Sequence, residues 1–160
     1  MTIDSVDNKK IKNIRKLNQK KYRDETNEFL VEGIHLVKEA YKEGLLKEVV
    51  LEENEEIDFK VDTTYVTYNV IKSISSLDTP YKIIGVCKKK EEKEINGNVL
   101  ILDGLQDPGN LGTIIRSAVA FNVDTIILSK DTVDLYNPKV VRSTQGMNFH
   151  INIIRRDLEH

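Results

Sequence analysis

The chain has 160 residues, of which 39% are apolar and 31% are charged, and its formal net charge is −2 at pH 7. This composition is typical of a globular protein, and the length allows one ordinary domain or two small ones. Because the whole chain is not basic, any surface that binds nucleic acid has to be local. The single cysteine, Cys87, excludes an internal disulfide and a zinc site built from several cysteines.

No apolar run approaches the length of a membrane span, and the polar N-terminus does not resemble a secretory signal. We therefore expect a cytoplasmic protein with no membrane partner. His35 and His150 have no companion ligands in the sequence, so no metal site is predicted. The last residues, Leu158, Glu159 and His160, resemble the start of a vector-encoded histidine tag and are left out of the fold prediction.

Residues 8–24 are predicted to form a helix with two faces. Residues 1–24 hold eight basic and three acidic side chains. A basic ridge of this kind suits a phosphate backbone, although a solvated helix face is an equally good interpretation of the pattern alone. The basic face has a 3, 4, 4, 3 spacing, opposite the apolar residues, and consists of Lys9, Lys12, Lys16, Lys20 and Arg23.

The rest of the first half alternates between helix and strand patterns, which indicates a small α/β sandwich. The charged run at 88–97 has no apolar periodicity and predicts a linker. We therefore expect a first domain at 1–88, a linker at 89–97 and a second domain at 98–157. The predicted elements of the first domain are helix 27–43, strand 46–51, acidic loop 52–56, strand 64–67, helix 69–76 and strand 81–87.

The second half alternates strictly between strands and helices, which predicts a parallel sheet with right-handed crossovers. The predicted elements are strand 98–102, helix 111–122, strand 124–128, helix 138–145 and strand 149–154.

The most informative stretch is LILDGLQDPGNLGTIIR, at residues 100–116. An apolar strand runs into a loop of turn-forming residues and then into a helix that carries Arg116, which is where open α/β sheets place their ligand crevices. Gly112, Arg116 and Ala120 share one helix face, so a nucleotide or a neighbouring backbone has space to approach. Asn110 stands at the helix entrance, where its amide either caps the helix or reaches a ligand.

These residues, with YNPKVVRSTQG at 136–146, resemble the first signature motif of the SpoU (TrmH-type) RNA ribose 2′-O-methyltransferases of the knotted SPOUT superfamily. The first domain, with FLVEGIHLVKEA and TPYKIIGVCKK, resembles the substrate-binding domain that precedes the catalytic domain in many SpoU enzymes. That domain is similar in fold to small RNA-binding ribosomal proteins. The resemblance thus implies an α/β RNA-binding domain followed by a parallel-sheet SPOUT domain.

In the family, the arginine at the position of Arg116 assists deprotonation of a ribose 2′-hydroxyl, which then attacks the methyl group of S-adenosylmethionine. The resemblance implies this role for Arg116, with Asn110 as a second catalytic residue, and ribosomal or transfer RNA as the partner. A guanidinium is a permanent cation with fixed donors beside the developing alkoxide. Arg142 either binds RNA phosphate or anchors its helix, and Asp103 either fixes the loop or touches substrate.

SpoU enzymes carry two further motifs that form the knot, hold S-adenosylmethionine and build a homodimer, and neither is found in this sequence. We therefore expect a fragment of a dimeric enzyme, with its cofactor-binding residues outside the chain and its 98–154 half the less stable. Alone it is expected neither to methylate RNA nor to bind the cofactor usefully, and micromolar binding in calorimetry would contradict this. A non-catalytic RNA-binding protein and a nucleotide-binding α/β protein unrelated to RNA remain as alternatives.

Overall fold

The computed structural model describes residues 1–159, and His160, part of the predicted tag remnant, lies outside the described residues. The chain divides into two compact units, Met1–Lys89 and Lys90–His160. The boundary between them falls inside the charged run that the sequence predicts as a linker. In the described part of the chain, no helix has the length and apolar character needed to cross a membrane.

The first unit is built on a four-stranded mixed sheet with the strand order β1-β4-β2-β3. Strand β4 is antiparallel to both β1 and β2, whereas β2 and β3 are parallel. The elements are α1 (Lys9–Arg15), α2 (Lys20–Thr26), β1 (Glu28–Glu32), α3 (Ile34–Lys42), β2 (Leu46–Glu52), β3 (Asp62–Val66), α4 (Tyr68–Ile74) and β4 (Ile83–Lys88).

The prediction of one continuous helix over 8–24 is wrong. A 3-10 turn, Lys16–Asn18, and the extended backbone of Gln19 separate α1 from α2. The break buries Leu17 in the core, and the Asn18 side-chain amide donates to the backbone carbonyl of Ile74 at 2.8 Å. Since the register of the helix is lost at Gln19, the basic spacing does not continue unchanged into α2.

The predicted helix at 27–43 is also wrong at its start, because residues Glu28–Glu32 form strand β1. Phe29, Leu30 and Val31 are all buried, and a strand buried on both faces gives the same continuous apolar run as a buried helix segment. Gly33 then adopts a φ of +96°, which favours glycine, and α3 begins directly after it.

The remaining strands and the short helix of the first unit confirm the prediction to within a few residues. Cys87 is buried in β4, as expected for a core residue, and this burial raises the pKa of its thiol. The core residues packed between α1, α4 and the sheet are Ile11, Ile14, Leu17, Leu30, Val50, Val66, Val70, Ile71, Ile74, Ile84 and Val86.

The second unit contains three parallel strands in the order β5-β6-β7, which confirms the predicted parallel sheet. The prediction of strand at 149–154 is wrong at its start, because a 3-10 turn, Met147–His150, precedes β7 and takes His150 out of the strand. The elements are β5 (Val99–Leu102), α5 (Pro108–Ala120), β6 (Thr125–Ser129), α6 (Pro138–Thr144) and β7 (Asn152–Arg156).

Helices α5 and α6 pack closely because Gly112 has no side chain. A Cβ atom at Gly112 would lie 2.8 Å from the carbonyl carbon of Ser143, well inside van der Waals contact. At the N-terminal edge of this unit, the Lys90 amine donates to the carbonyls of Phe149 and Ile151 at 2.9 and 3.0 Å. Part of the predicted linker is therefore bonded into the second unit.

Candidate active site and RNA-binding face

The loop that follows β5 is fixed by hydroxyl groups at the end of β6. Gly104, with a φ of +71°, donates its N–H to Ser129 Oγ at 2.8 Å. Ser129 in turn donates to Asp131 Oδ1 at 2.6 Å, and the Thr132 hydroxyl donates to the Leu102 carbonyl at 3.2 Å. Sequence reasoning missed this network, although serine, aspartate and threonine just after a strand are a signal for such a turn.

Arg155, near the end of β7, holds the chain that follows β6. Its guanidinium donates to the backbone carbonyls of Ser129, Thr132 and Val133 at 2.8, 2.7 and 3.0 Å. A planar group with several fixed donors satisfies these adjacent carbonyls together. These hydrogen bonds connect the segments at the carboxyl ends of the three strands and hold that edge of the sheet together.

Helix α5 is capped by Asp107 and not by Asn110. Asp107 Oδ1 accepts the N–H of Asn110 at 2.9 Å, and Pro108 occupies the first helical position. The interpretation of Asn110 as the cap is therefore wrong. Its side chain is exposed in the first turn and has no hydrogen bond within residues 1–159, so its amide is available to a ligand.

Arg116 is exposed on α5, one turn after Gly112. Among the described residues, no carboxylate lies within 4.0 Å of its guanidinium. Arg116 is therefore not a partner in a salt bridge with any of these residues. The space beside Gly112 is filled by the α6 backbone at Ser143, so the small residue serves helix packing. Arg116 therefore projects as an unneutralised cation from a helix that is held firmly in place.

The two residues with open roles are placed differently. Asp103 is exposed and makes no hydrogen bond or ion pair in the described chain, so the loop is fixed by Asp107 and Asp131 instead. Arg142 is half-buried in the last turn of α6, a position compatible both with phosphate binding and with anchoring the helix.

Tyr136, in the segment 136–146, does not offer a base at neutral pH. The Tyr136 hydroxyl accepts the N–H of Lys90 at 3.2 Å, and burial raises the pKa of Tyr136 to about 12. This phenol is protonated at neutral pH. Within residues 1–159, no three histidine, cysteine, aspartate or glutamate side chains are grouped to hold a metal ion.

The predicted basic face is only partly formed. Lys9, Lys12 and Lys16 are exposed, and in the part of the chain that the structure describes no carboxylate lies within 4.0 Å of their amines. Lys20 is also exposed but pairs with Asp24 at 2.6 Å. The basic face therefore consists of Lys9 and Lys12 on α1 and Lys16 in the 3-10 turn that follows, with Lys20 as an ion-paired neighbour.

Arg23 does not belong to this face, and its assignment as an RNA-binding residue is wrong. The residue is only 3% exposed, and its Nη1 donates to the carbonyl of Leu17 at 3.0 Å. The helix break at Gln19 is the cause, because it turns Arg23 toward the protein.

An open groove with a volume of about 730 Å³ lies beside α1 and α2. Sequence reasoning missed it because its walls come from distant parts of the first unit. Its lining residues are Lys9, Lys10, Asn13, Ile14, Lys16, Leu17, Tyr22, Glu25, Thr26, Glu28, Lys47, Glu48 and Val86.

Comparison with protein families gives two matches. Residues 97–159 match the model described as the SpoU rRNA Methylase family, and residues 8–85 match the MRM3-like substrate binding domain. The chain holds an MRM3-like substrate-binding domain followed by a SpoU methylase domain. The family predicted from Asn110, Gly112 and Arg116 is confirmed.

Curated relatives agree with these matches. The chain is 41% identical to the 23S rRNA (guanosine(2553)-2′-O)-methyltransferase RlmP of Bacillus subtilis, over 98% of this chain and 65% of the relative. It is 32% identical to the human mitochondrial rRNA methyltransferase 3, over 83% of this chain and 36% of the relative. The chain therefore spans less than two thirds of the length of these relatives.

Solved structures agree with the fold. The crystal structure of an rRNA methyltransferase from Sinorhizobium meliloti is 32% identical, with a TM-score of 0.86 over 99% of this chain and 66% of that one. An AdoMet-bound structure of an rRNA methyltransferase from Sinorhizobium meliloti gives a TM-score of 0.84. The predicted α/β fold with a parallel-sheet SPOUT domain is thereby confirmed.

Proposed function

We propose that this chain carries the RNA-binding unit and the catalytic arginine of an S-adenosylmethionine-dependent RNA ribose 2′-O-methyltransferase. The observation that carries the proposal is Arg116. In a SpoU chain, it is exposed on α5, the helix that begins past the carboxyl end of β5, and no carboxylate of the described residues neutralises it.

In the reaction, the ribose 2′-oxygen forms a bond to the methyl carbon while the carbon–sulfur bond breaks, and the hydroxyl proton leaves to solvent. S-adenosylmethionine supplies the methyl group, and AdoMet is named in a structure similar to this chain. The guanidinium of Arg116 does not accept the proton. It stabilises the negative charge that develops on the 2′-oxygen, because it stays charged and its donors are fixed.

Asn110 supports this chemistry as a second site residue. Its exposed amide offers both a donor and an acceptor in the first turn of α5, because Asp107 has taken over the capping role. We assign it to orienting the ribose. Orientation of the hydroxyl toward the methyl donor supplies much of the remaining acceleration.

The partner is RNA, because the reacting 2′-hydroxyl is the group that distinguishes RNA from DNA. Lys9, Lys12 and Lys16 provide unpaired cations for phosphates, and Arg142 is a further candidate for phosphate. The Bacillus subtilis relative is named for a guanosine of 23S rRNA. We therefore propose ribosomal RNA as the substrate class.

We also propose that the active protein is a homodimer. Support comes from apolar surface on the second unit, where Phe121 is 82% exposed and Ile101 of β5 is 55% exposed. A second subunit would remove such surface from water. Sedimentation of the active protein should give twice the monomer mass, and a monomer with full activity would contradict this part of the proposal.

The function is tested with a chimera in which this chain is followed by the part of the Bacillus subtilis relative that lies beyond the match. The substrate is a 23S rRNA fragment with the target guanosine named for that relative, and the methyl donor is radiolabelled. We expect one methyl group on the ribose and none when the target carries a 2′-deoxyribose. Transfer to the deoxy substrate, or RNA binding without transfer while the relative itself is active, would contradict the proposal.

A further inference from the structure

We propose that the groove beside α1 and α2 binds an unpaired nucleotide of the RNA, with its base stacked on Tyr22. The inference rests on the proposed function, which makes RNA the partner. It goes further in stating that this surface selects single-stranded over duplex RNA. With about 730 Å³, the groove falls in the range of roughly 300–1,000 Å³ that is usual for small-molecule sites. One nucleotide fits such a volume.

The charges at the groove favour a phosphate at its rim. Lys9 and Lys16 line it without any carboxylate within 4.0 Å in the described residues. Lys12 stands between them in sequence and is also exposed, so three unneutralised cations lie on α1 and the 3-10 turn that follows it. Phosphate contacts of this kind supply affinity without base recognition.

The acidic residues of the groove are largely neutralised by the protein itself. Glu28 pairs with Lys47 at 2.8 Å, and Glu48 pairs with Lys10 at 3.2 Å. Glu25 is the remaining carboxylate in the lining, and it can accept a hydrogen bond from an exocyclic amine of a base. The groove therefore does not repel a nucleotide.

Tyr22 supplies the surface for the base. The amine of Lys16 lies 5.2 Å from the centre of its ring, and the amine of Lys21 lies 5.5 Å from it. Both amines are carried on flexible stems, so they can move to phosphate when a base takes their place on the ring. An aromatic ring among cations is the arrangement by which proteins hold single strands.

A base in a duplex has both faces covered by its neighbours and cannot reach a ring inside a groove. An unpaired base in a loop or bulge can be turned outward and stacked on an aromatic side chain. The geometry therefore favours a single-stranded element of ribosomal RNA, and not a regular helix.

The test measures RNA binding by the whole chain, by fluorescence anisotropy, with three probes of equal phosphate number. The probes are a single-stranded RNA, the same strand with abasic nucleotides in its central part, and a duplex RNA. The unmodified chain should bind the single strand about tenfold more tightly than the abasic strand, as expected for loss of a stacked base. This comparison depends on no variant.

Tyr22→Leu should lower affinity for the single strand about tenfold and leave the abasic strand and the duplex unchanged, whereas Tyr22→Phe should retain affinity. Tyr65→Leu is the matched control, because Tyr65 is 40% exposed on β3 and does not line the groove. Equal binding of the abasic and complete strands, or equal effects of Tyr22→Leu on all probes, would overturn the stacking site.

These failures are distinguishable from failure of the proposed function. If Lys9→Ala with Lys16→Ala weakens binding of every probe while Tyr22 has no effect, RNA remains the partner and the stacking inference is wrong. If the unmodified chain binds none of the probes, both the inference and the proposed RNA-binding unit are wrong.

Discussion

The two units of the chain place their functional residues in different ways. In the first unit, the candidate RNA-binding residues lie on α1, on the 3-10 turn that follows it and on α2, outside a sheet whose strand β4 is largely buried. In the second unit, the candidate catalytic residues lie on a helix that begins past the carboxyl end of β5, at an edge braced by Ser129 and Arg155. Binding needs charge on an open surface, whereas catalysis needs one charge at a defined place.

The units also differ in how completely they bury their apolar residues. The central strands β4 and β6 each have five consecutive buried residues, but two of those in β6, Thr125 and Ser129, are polar, whereas none of those in β4 is. In the second unit, Val99 and Ile101 of the edge strand β5 are 40% and 55% exposed. Less apolar burial gives less stability, so the second unit is expected to be the weaker one.

The largest effect is expected at Arg116. Arg116→Ala should lower the rate of methyl transfer by the chimera about 10²–10³-fold, the usual cost of removing one donor to a developing oxyanion. RNA affinity should stay within about twofold, since cations elsewhere on the protein bind most of the phosphates. Single-turnover transfer and anisotropy measure the two quantities. Arg116→Lys, which keeps the charge but not the fork of donors, should have a rate between those of Arg116→Ala and the unmodified chimera.

The next largest effect tests how α5 is held. Gly112→Ala should destabilise the second unit by about 1–3 kcal/mol, because the new methyl group overlaps the α6 backbone at Ser143. Urea unfolding followed by circular dichroism measures this. Gly109→Ala is the control, because its Cβ would meet only a side-chain oxygen of Asp107 at 3.3 Å. Equal stability of both variants would contradict the close packing of α5 and α6.

Charge on the first unit is tested by reversing Lys12, Lys16 and Lys20 to glutamate. RNA affinity should fall at least tenfold, and its dependence on salt should become flatter by about 0.7 for each phosphate that is no longer bound. Lys20 should contribute least, because it already pairs with Asp24. Reversal of Lys42, Lys60 and Lys72, which lie elsewhere in the first unit, is the matched control. An equal decrease of RNA affinity in both variants would mean that binding depends on the overall charge of the first unit and not on the basic face.

The difference in stability can be followed through Cys87. The thiol is buried and its pKa is raised by that burial, so little thiolate is present at neutral pH and native labelling should be slow. As urea increases, amide exchange of the second unit should accelerate before Cys87 becomes reactive. Labelling of Cys87 at the lower urea concentration would reverse the proposed order of stability.

The smallest effect is expected at Asp24. Lys20 and Lys89 hold the pKa of this carboxyl below its ordinary value of 3.8, so the ion pairs stabilise the fold above that pH and the stabilisation is lost as the pH falls through the folded value. Because the Asp24 side chain is 49% exposed, Asp24→Asn should cost only about 0.2–1 kcal/mol at neutral pH. At a pH below the folded pKa of Asp24, the variant and the unmodified protein should have equal free energies of unfolding. A cost that persists there would mean that Asp24 acts through something other than its charge.

Sequence patterns gave the order of elements in the second unit, and the alternation of strand and helix implied the parallel sheet. Helix α6 begins at Pro138 as predicted, whereas α5 begins at Pro108, three residues before the predicted start, because Asp107 caps it. In the first unit, β1 could not be separated from α3, since Phe29, Leu30 and Val31 form one apolar run with the helix that follows. Only the backbone of Gly33 divides them.

A local motif was enough to nominate single candidate residues of the site, but not the contacts in which several distant residues meet. Arg116 and Asn110 follow from a local motif. Arg155 could not be predicted, because its carbonyl partners lie more than 20 positions earlier in the chain. The burial of Arg23 was equally hidden, because it depends on the break at Gln19, where extended backbone interrupts a favourable helical pattern.

The most direct test measures the RNA dissociation constant and the single-turnover rate at saturating RNA in the same chimera, for Arg116→Ala and for the lysine reversal. We expect opposite effects of the two variants. Arg116→Ala should lower the rate of methyl transfer and retain RNA affinity, whereas the lysine variant should lose RNA affinity and retain the rate. Full turnover in Arg116→Ala would contradict the assignment of the catalytic cation to α5.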